Sequence, residues 1–90
     1  MELYFIWMIE NFDKYGSIGD WFVGYFETFK EAETRVLNNV FDLNDGGVYK
    51  FARIEKLNPG LYQEDLAPTY YQFNKETRTY YKIECPYKEE

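Results

Sequence analysis

The sequence predicts an α+β protein in which one helix packs on one face of a twisted antiparallel sheet of four or five strands. Its apolar segments are short and rich in aromatic residues, as strands are. One segment, residues 29–40, instead repeats its apolar residues at helical spacing. Turn residues separate the segments into the order β-β-α-β-β-β. At 90 residues, we expect the whole chain, 1–90, to form a single domain.

Two strands are predicted before the helix. The run "LYFIWMI", residues 3–9, is continuously apolar, which is typical of a central strand covered on both faces. The segment "NFDKYGSIGD", residues 11–20, is expected to be a loop because two glycines interrupt it. The segment "WFVGYFET", residues 21–28, is predicted as the second strand, and Gly24 inside it indicates a bulge or a close approach.

The helix has both a start signal and an apolar face. Thr28 and Glu31 match the T-x-x-E capping box, whose side chains satisfy free amides of the first turn. A helix with one apolar face must lie against another element, and the sheet is the available one. The apolar face consists of Phe29, Ala32, Val36, Leu37 and Val40.

Three strands are predicted after the helix. The segment "VYKFARIEKL", residues 48–57, carries apolar side chains on both faces and precedes an Asn-Pro-Gly turn. The loop "LYQEDLAP" follows at residues 61–68. The segment "TYYQFNKETRTYYKI", residues 69–83, then predicts a hairpin around its polar centre.

Each strand of that hairpin carries a doubled tyrosine. Because neighbouring residues of a strand point to opposite faces, the two rings of a pair cannot enter the same core. The sequence encodes no second helix, so the second sheet face either closes on itself or meets a partner. Tyrosine suits such a surface, since its ring is apolar and its hydroxyl can reach water. We expect Tyr71 and Tyr81 to point inward, and Tyr70 and Tyr80 outward.

Several classes of chemistry are disfavoured by the composition. The chain has no histidine and one cysteine, which removes histidine-dependent catalysis and the commonest metal ligand. The segment "DLNDGG" lacks the ligand spacing of a calcium loop, and "GSIG" lacks the Lys-Ser/Thr of a phosphate-binding loop. With 16 acidic residues, chance carboxylate pairs are unavoidable. We therefore expect a non-enzymatic protein without cofactor or metal.

The charge balance restricts the partners. A net charge of −6 argues against direct binding to duplex DNA, which requires lysines and arginines on phosphates. It suits a basic protein partner, or imitation of the charge of a nucleic acid, or simply a well-solvated surface. No run approaches the roughly 20 apolar residues of a membrane span. The single cysteine favours a reducing compartment, so a cytoplasmic location is expected.

The candidate interaction residues combine outward tyrosines, cations of the last hairpin and acidic residues of the loops. An alternative is an oligomeric sponge for a nucleotide signal, in which bases stack on aromatic rings and a few cations bind phosphate. A homo-oligomer fits this alternative. The cations could instead pair with nearby glutamates across strands. The candidates are Tyr70, Tyr80, Arg78, Lys82, Asp13, Asp20, Glu64 and Asp65.

The centre of the chain, residues 24–62, resembles small uncharacterised proteins encoded by phages and prophages of Firmicutes. Their layout is Gly-x-Phe-x-Thr-x-x-Glu-Ala, a helix, an acidic loop, Tyr-x-x-Ala-x-Ile-Glu and a turn ending in Gly-Leu-Tyr. The matching residues are Gly24, Phe26, Thr28, Glu31, Ala32, Tyr49, Ala52, Ile54, Glu55, Gly60, Leu61 and Tyr62.

The resemblance implies a phage origin and a strand-helix-strand core, and it carries no known catalytic residues. Phage proteins of this size and acidity often resemble inhibitors of host defence. The expected partner is therefore a bacterial host protein, such as a defence or nucleic-acid-binding protein, in the cytoplasm of an infected cell. A structural or accessory role in the phage is the other alternative.

Overall fold

Five strands and one helix make up the described part of the chain, residues 2–39, 49–57 and 68–86, in a computed structural model. The predicted α+β class, with an antiparallel sheet and one helix, is confirmed. The elements are β1 (Leu3–Asp13), β2 (Gly16–Phe26), α1 (Phe29–Leu37), β3 (Phe51–Leu57), β4 (Thr69–Asn74) and β5 (Thr79–Ile83).

The strands form one sheet in the order β2-β1-β3-β4-β5, and every neighbouring pair is antiparallel. β1 is paired on both sides, which agrees with its continuous apolar run. Ile6 of β1, for example, lies between Gly24 of β2 and Ile54 of β3. β2 and β5 are the two edges of the sheet among the described residues.

The expectation of a loop over residues 11–20 was wrong. β1 continues to Asp13, and β2 starts at Gly16 after a turn at Lys14 and Tyr15. The carboxylate of Asp13 accepts a hydrogen bond of 2.8 Å from the amide of Tyr15, which closes the turn locally. Gly16 has φ +133°, a conformation that side chains avoid. The glycine therefore serves a tight reversal between two long strands.

The helix begins where the capping box predicted and ends earlier than expected. The hydroxyl of Thr28 accepts a hydrogen bond of 3.2 Å from the amide of Glu31. α1 stops at Leu37, and Asn39 takes the left-handed φ of +48°, which asparagine tolerates at a helix end. The side-chain amide of Asn39 also donates to the carbonyl of Arg78, so the helix end is tied to the β4–β5 turn.

The core lies between α1 and the face of the sheet that α1 covers. Ala32 and Val36 of the helix are buried against side chains from β1, β3, β4 and β5. Packing of one helix face on the sheet is therefore confirmed. The buried sheet residues of this core are Ile6, Met8, Ala52, Ile54, Tyr71 and Tyr80.

The expected directions of the doubled tyrosines were right for β4 and wrong for β5. Tyr71 enters the helix-side core. Phe73 pairs with Tyr80, so Tyr80 enters the same core and Tyr81 points away from it. The four-residue turn after Asn74 sets this register, and the register decides which tyrosine faces the helix. Tyr70 does lie on the opposite face, but it is buried there rather than exposed.

Two buried tyrosines of the core have their hydroxyl groups satisfied. The hydroxyl of Tyr71 donates a 2.6 Å hydrogen bond to the carboxylate of Glu33 on α1. The hydroxyl of Tyr80 donates a 2.9 Å hydrogen bond to the carbonyl of Tyr49. Burial, together with the bond to Glu33 and its negative charge, holds the pKa of Tyr71 well above its usual range.

Some predicted features lie outside the described residues. They are the acidic segment at 42–47, the Asn-Pro-Gly turn at 58–60, most of the loop at 61–68 with Glu64 and Asp65, and the last residue of the expected helix, Val40.

Tyr80 and Tyr81 should respond very differently to truncation. Tyr80→Ala removes a ring from the core and should lower the free energy of unfolding by about 3–5 kcal/mol. Tyr81→Ala removes a ring that is 45% exposed, and it should change that free energy by no more than about 0.5 kcal/mol. Urea denaturation of both variants checks the assignment. A larger loss for Tyr81→Ala would contradict the register of β5.

Tyr71→Phe should remove the bond to Glu33 and cost about 1–3 kcal/mol at pH 7. The raised pKa means that the folded protein keeps this hydroxyl protonated after the unfolded chain has begun to ionise near pH 10. This stabilisation is therefore complete below pH 10 and is lost above it, by about 1.4 kcal/mol per pH unit.

Urea denaturation of the wild type and of Tyr71→Phe between pH 7 and pH 11 measures this effect. The advantage of the wild type should stay constant to about pH 9 and shrink above pH 10. Glu33→Gln keeps an acceptor of similar shape without the charge, and it should show a smaller loss at pH 7. An advantage that grows with pH would show that Tyr71 ionises readily in the folded protein.

Candidate contact surface

The sheet face opposite the helix, here called the open face, is organised in cross-strand rows. One row joins Tyr25 of β2 to Phe5 of β1 and Glu55 of β3. The next row runs across the whole sheet, and a third row lies beside it. The second consists of Phe22, Trp7, Arg53, Tyr70 and Ile83, and the third of Asp20, Ile9, Phe51, Gln72 and Tyr81.

Four rings at the β1–β2 side form a continuous cluster, here called the aromatic face: Phe5, Trp7, Phe22 and Tyr25. Phe5 contacts the rings of Phe22 and Tyr25 at centroid distances of 5.4 and 5.6 Å, and Trp7 contacts Phe22 at 5.3 Å. Tyr25 is 59% exposed and Phe22 is 40% exposed. Large rings that pack against one another while still exposed are typical of a binding surface.

A bulge in β2 makes this cluster. Phe22 pairs with Trp7 and Gly24 pairs with Ile6, so Val23 is an extra residue between the two pairs. Without it, Phe22 and Tyr25 would point to opposite faces, because they are three residues apart. The extra residue places both rings on the open face. Gly24, which suggested a bulge from the sequence, stands next to it.

The middle of the open face is closed by the protein itself. The ring of Phe12 packs edge to face against Phe51 at 5.0 Å and against Tyr70 at 5.8 Å. Ile9 is fully buried, and Tyr70 is also buried. The open face therefore has a self-covered part around Tyr70 and an exposed part at the aromatic face.

Arg53 marks the border between these two parts. Its guanidinium makes a 3.0 Å ion pair with Asp20 and lies 3.3 Å from the hydroxyl of Ser17, both on β2. Its Nε is 3.3 Å from the carboxylate of the buried Glu55, at an angle that forms no hydrogen bond. The guanidinium also stands 5.9 Å from the ring of Trp7. Two carboxylates thus compensate one cation beside the aromatic face.

The eight predicted interaction residues do not form one site. Asp20 is held by Arg53, while Asp13 lies at the β1–β2 turn. Tyr70 and Tyr80, expected to be outward, are buried, so neither can offer its ring to a partner. Arg78 lies in the β4–β5 turn and Lys82 on β5, both exposed. The remaining two, Glu64 and Asp65, lie outside the described residues.

The residues of the aromatic face were not among the predicted candidates. Their signal was present in part: Phe5 and Trp7 alternate within the first apolar run, so they share a face of the strand. Phe22 and Tyr25 could not be placed beside them without knowing where the extra residue of the bulge lies. That position depends on pairing with β1 rather than on β2 alone.

The described residues hold no group of three or more cysteine, aspartate or glutamate side chains arranged to bind a metal ion. None of their helices has the length and apolar character needed to cross a membrane.

Comparisons of the chain with protein-family models, with curated proteins and with solved structures found no match.

Arg53→Met should destabilise the protein by about 2–4 kcal/mol, because it removes the cation that pairs with both Glu55 and Asp20. Asp20→Asn should cost less, about 1 kcal/mol, since Glu55 still accompanies the guanidinium. Urea denaturation of both single variants and of the double variant gives the coupling energy. Additive losses would mean that the observed ion pair contributes nothing to stability.

Proposed function

We propose that this protein is a non-enzymatic binding protein that contacts a partner protein through the aromatic face. The single observation that carries the proposal is the cluster of Phe5, Trp7, Phe22 and Tyr25, whose two outer rings are substantially exposed. Aromatic side chains dominate the energetic centres of protein interfaces. The rings already pack against one another, so little side-chain entropy would be lost on binding.

The charge of the protein supports a partner with a basic rim. The chain carries a net charge of −6, and Arg53 beside the aromatic face is compensated by two carboxylates. An apolar pocket surrounded by lysine or arginine would match this surface. Electrostatic attraction would mainly speed association and make it sensitive to salt.

We further propose that the partner is a bacterial host protein and that the binding protein is a phage-encoded inhibitor of a defence system, acting in the cytoplasm of the infected cell. This part rests on the resemblance of residues 24–62 to phage and prophage proteins. The acidity of the chain supports it, because a defence protein that binds nucleic acid presents a basic surface.

A nucleotide sponge is the weaker candidate. Stacking on the aromatic face is compatible with it, but phosphate binding needs a cation close by. Arg53, whose guanidinium stands beside the ring of Trp7, is engaged by Asp20 and Glu55. A phosphate would have to displace these carboxylates. A structural role in the phage particle has no specific support in the geometry.

Phe22→Ala and Tyr25→Ala should each weaken binding of the partner by about 2 kcal/mol or more, which is roughly 30-fold in Kd. The measurement is capture of host proteins from a bacterial lysate on immobilised wild type and variants, followed by titration of the purified partner. Tyr25→Ala should leave folding nearly unchanged, because its ring is more than half exposed.

Tyr15→Ala and Tyr81→Ala are the matched controls, since both remove an exposed tyrosine outside the aromatic face. Both should bind like the wild type. Equal capture of host proteins by all four variants would contradict the proposal. If a cyclic dinucleotide raises the thermal stability of the protein and is recovered unchanged, that result would favour the sponge. If purified phage particles contain the protein, that result would favour the structural role.

A further inference from the structure

The two edges of the sheet differ in how well they are protected against pairing with another strand. β5 is five residues long and carries the exposed Lys82, as guarded edges do. β2 is 11 residues long and has no lysine, arginine or proline. Its single charge, Asp20, is bound by Arg53 within the same chain. β2 therefore presents an almost uncharged edge on an acidic protein.

The side chains along β2 are also apolar and exposed. Ile18 is 48% exposed and Trp21 is 47% exposed, in addition to Phe22 and Tyr25 of the aromatic face. Ile18 lies on the side that faces the helix, because its neighbour Ser17 reaches Arg53 on the open face. Trp21 lies on the same side, since it pairs with Met8 of the core, whereas Phe22 and Tyr25 lie on the open face. Apolar surface thus flanks this edge above and below the sheet. Long, apolar edges without guarding charges or prolines are the ones that pair with further strands.

We infer that β2 is a dimerisation edge, at which β2 of a second copy of this chain pairs antiparallel and extends the sheet. The charge pattern favours a second copy as the occupant. Two copies bring together two nearly neutral strands and keep the acidic surfaces apart, and the shared backbone hydrogen bonds satisfy both edges at once. The same patch serves on both copies, so the contact is isologous.

The guarded β5 edge explains why pairing should stop at two copies. A pair joined through β2 leaves only two β5 strands at its ends, each short and bearing Lys82. The bulge at Val23 and the left-handed Gly19, with φ +69°, interrupt the outer ladder of β2. We therefore expect pairing in two short stretches, residues 16–18 and 20–22. Ile18 lies within the first stretch, and it does not belong to the aromatic face.

The available area predicts a weak dimer. At about 200 Å² per ring, the exposed fractions of Trp21 and Phe22 leave roughly 170 Å² of aromatic surface per copy within the paired segment. A stable interface of standard size buries about 800 Å² per partner. The backbone and Ile18 add to this area but do not bring it to that size. We therefore expect a dimer whose Kd is on the order of micromolar.

Sedimentation velocity of the purified protein from about 1 µM to about 1 mM tests the inference. The wild type should shift from monomer to dimer across this range. Ile18→Lys places a charge on the β2 edge and should weaken dimerisation at least about 10-fold. Tyr81→Lys is the matched control, because it places the same charge at an exposed ring of the other edge strand. It should dimerise like the wild type.

Hydrogen exchange of the wild type at low and high concentration gives a readout that needs no variant. Amides of residues 16–18 and 20–22 should gain protection with concentration, and those of β5 should not. A monomer throughout the range, oligomers larger than two copies, or loss of the dimer in Tyr81→Lys alone would each overturn the inference. Because no partner is present in these experiments, their outcome is independent of the function proposed above.

Discussion

One nine-residue helix has to cover a sheet of five strands, and this constraint shapes the rest of the molecule. A helix of this length is about 13–14 Å long, whereas the sheet is about 19 Å across and its longest strands reach about 36 Å. The helix can seal the centre of one face. Within the described residues, only the side chains of the strands themselves are at hand to cover the other face and the far parts of β1 and β2.

Aromatic side chains cover much of the sheet surface that the helix does not reach. The ring of Phe12 reaches Phe51 and Tyr70 on the open face, which the helix of the described residues does not cover. On the helix face, Tyr71 and Tyr80 fill volume and still satisfy their hydroxyls through Glu33 and a backbone carbonyl. A tyrosine core is tolerable only with such acceptors, since an unpaired buried hydroxyl is costly.

The aromatic face lies next to the part of the open face that the protein covers with its own side chains. Arg53 holds β2 against β3 across the intervening β1, through Asp20 and Ser17. The bulge at Val23 turns Phe22 and Tyr25 to the same side. Together these features hold four aromatic rings in contact with one another on the sheet.

Local signals in the sequence determined the class, the helix start and the existence of most strands. The capping box at Thr28, the apolar spacing along α1 and the turn residues between segments act over a few residues, so they can be read without the fold. The same is true of the alternation of Phe5 and Trp7. Tertiary structure decided everything that depends on strand pairing.

Pairing decided which tyrosine of each doublet is buried, and where the exposed rings meet. A shift of one residue in the β4–β5 register would exchange Tyr80 and Tyr81 between core and solvent, and no local preference separates two adjacent tyrosines. Likewise, Val23 is an extra residue only in relation to the pairing of β2 with β1. The sequence alone thus determined that aromatic rings would face both sides of the sheet, while the register of its strands decided which of them remain exposed.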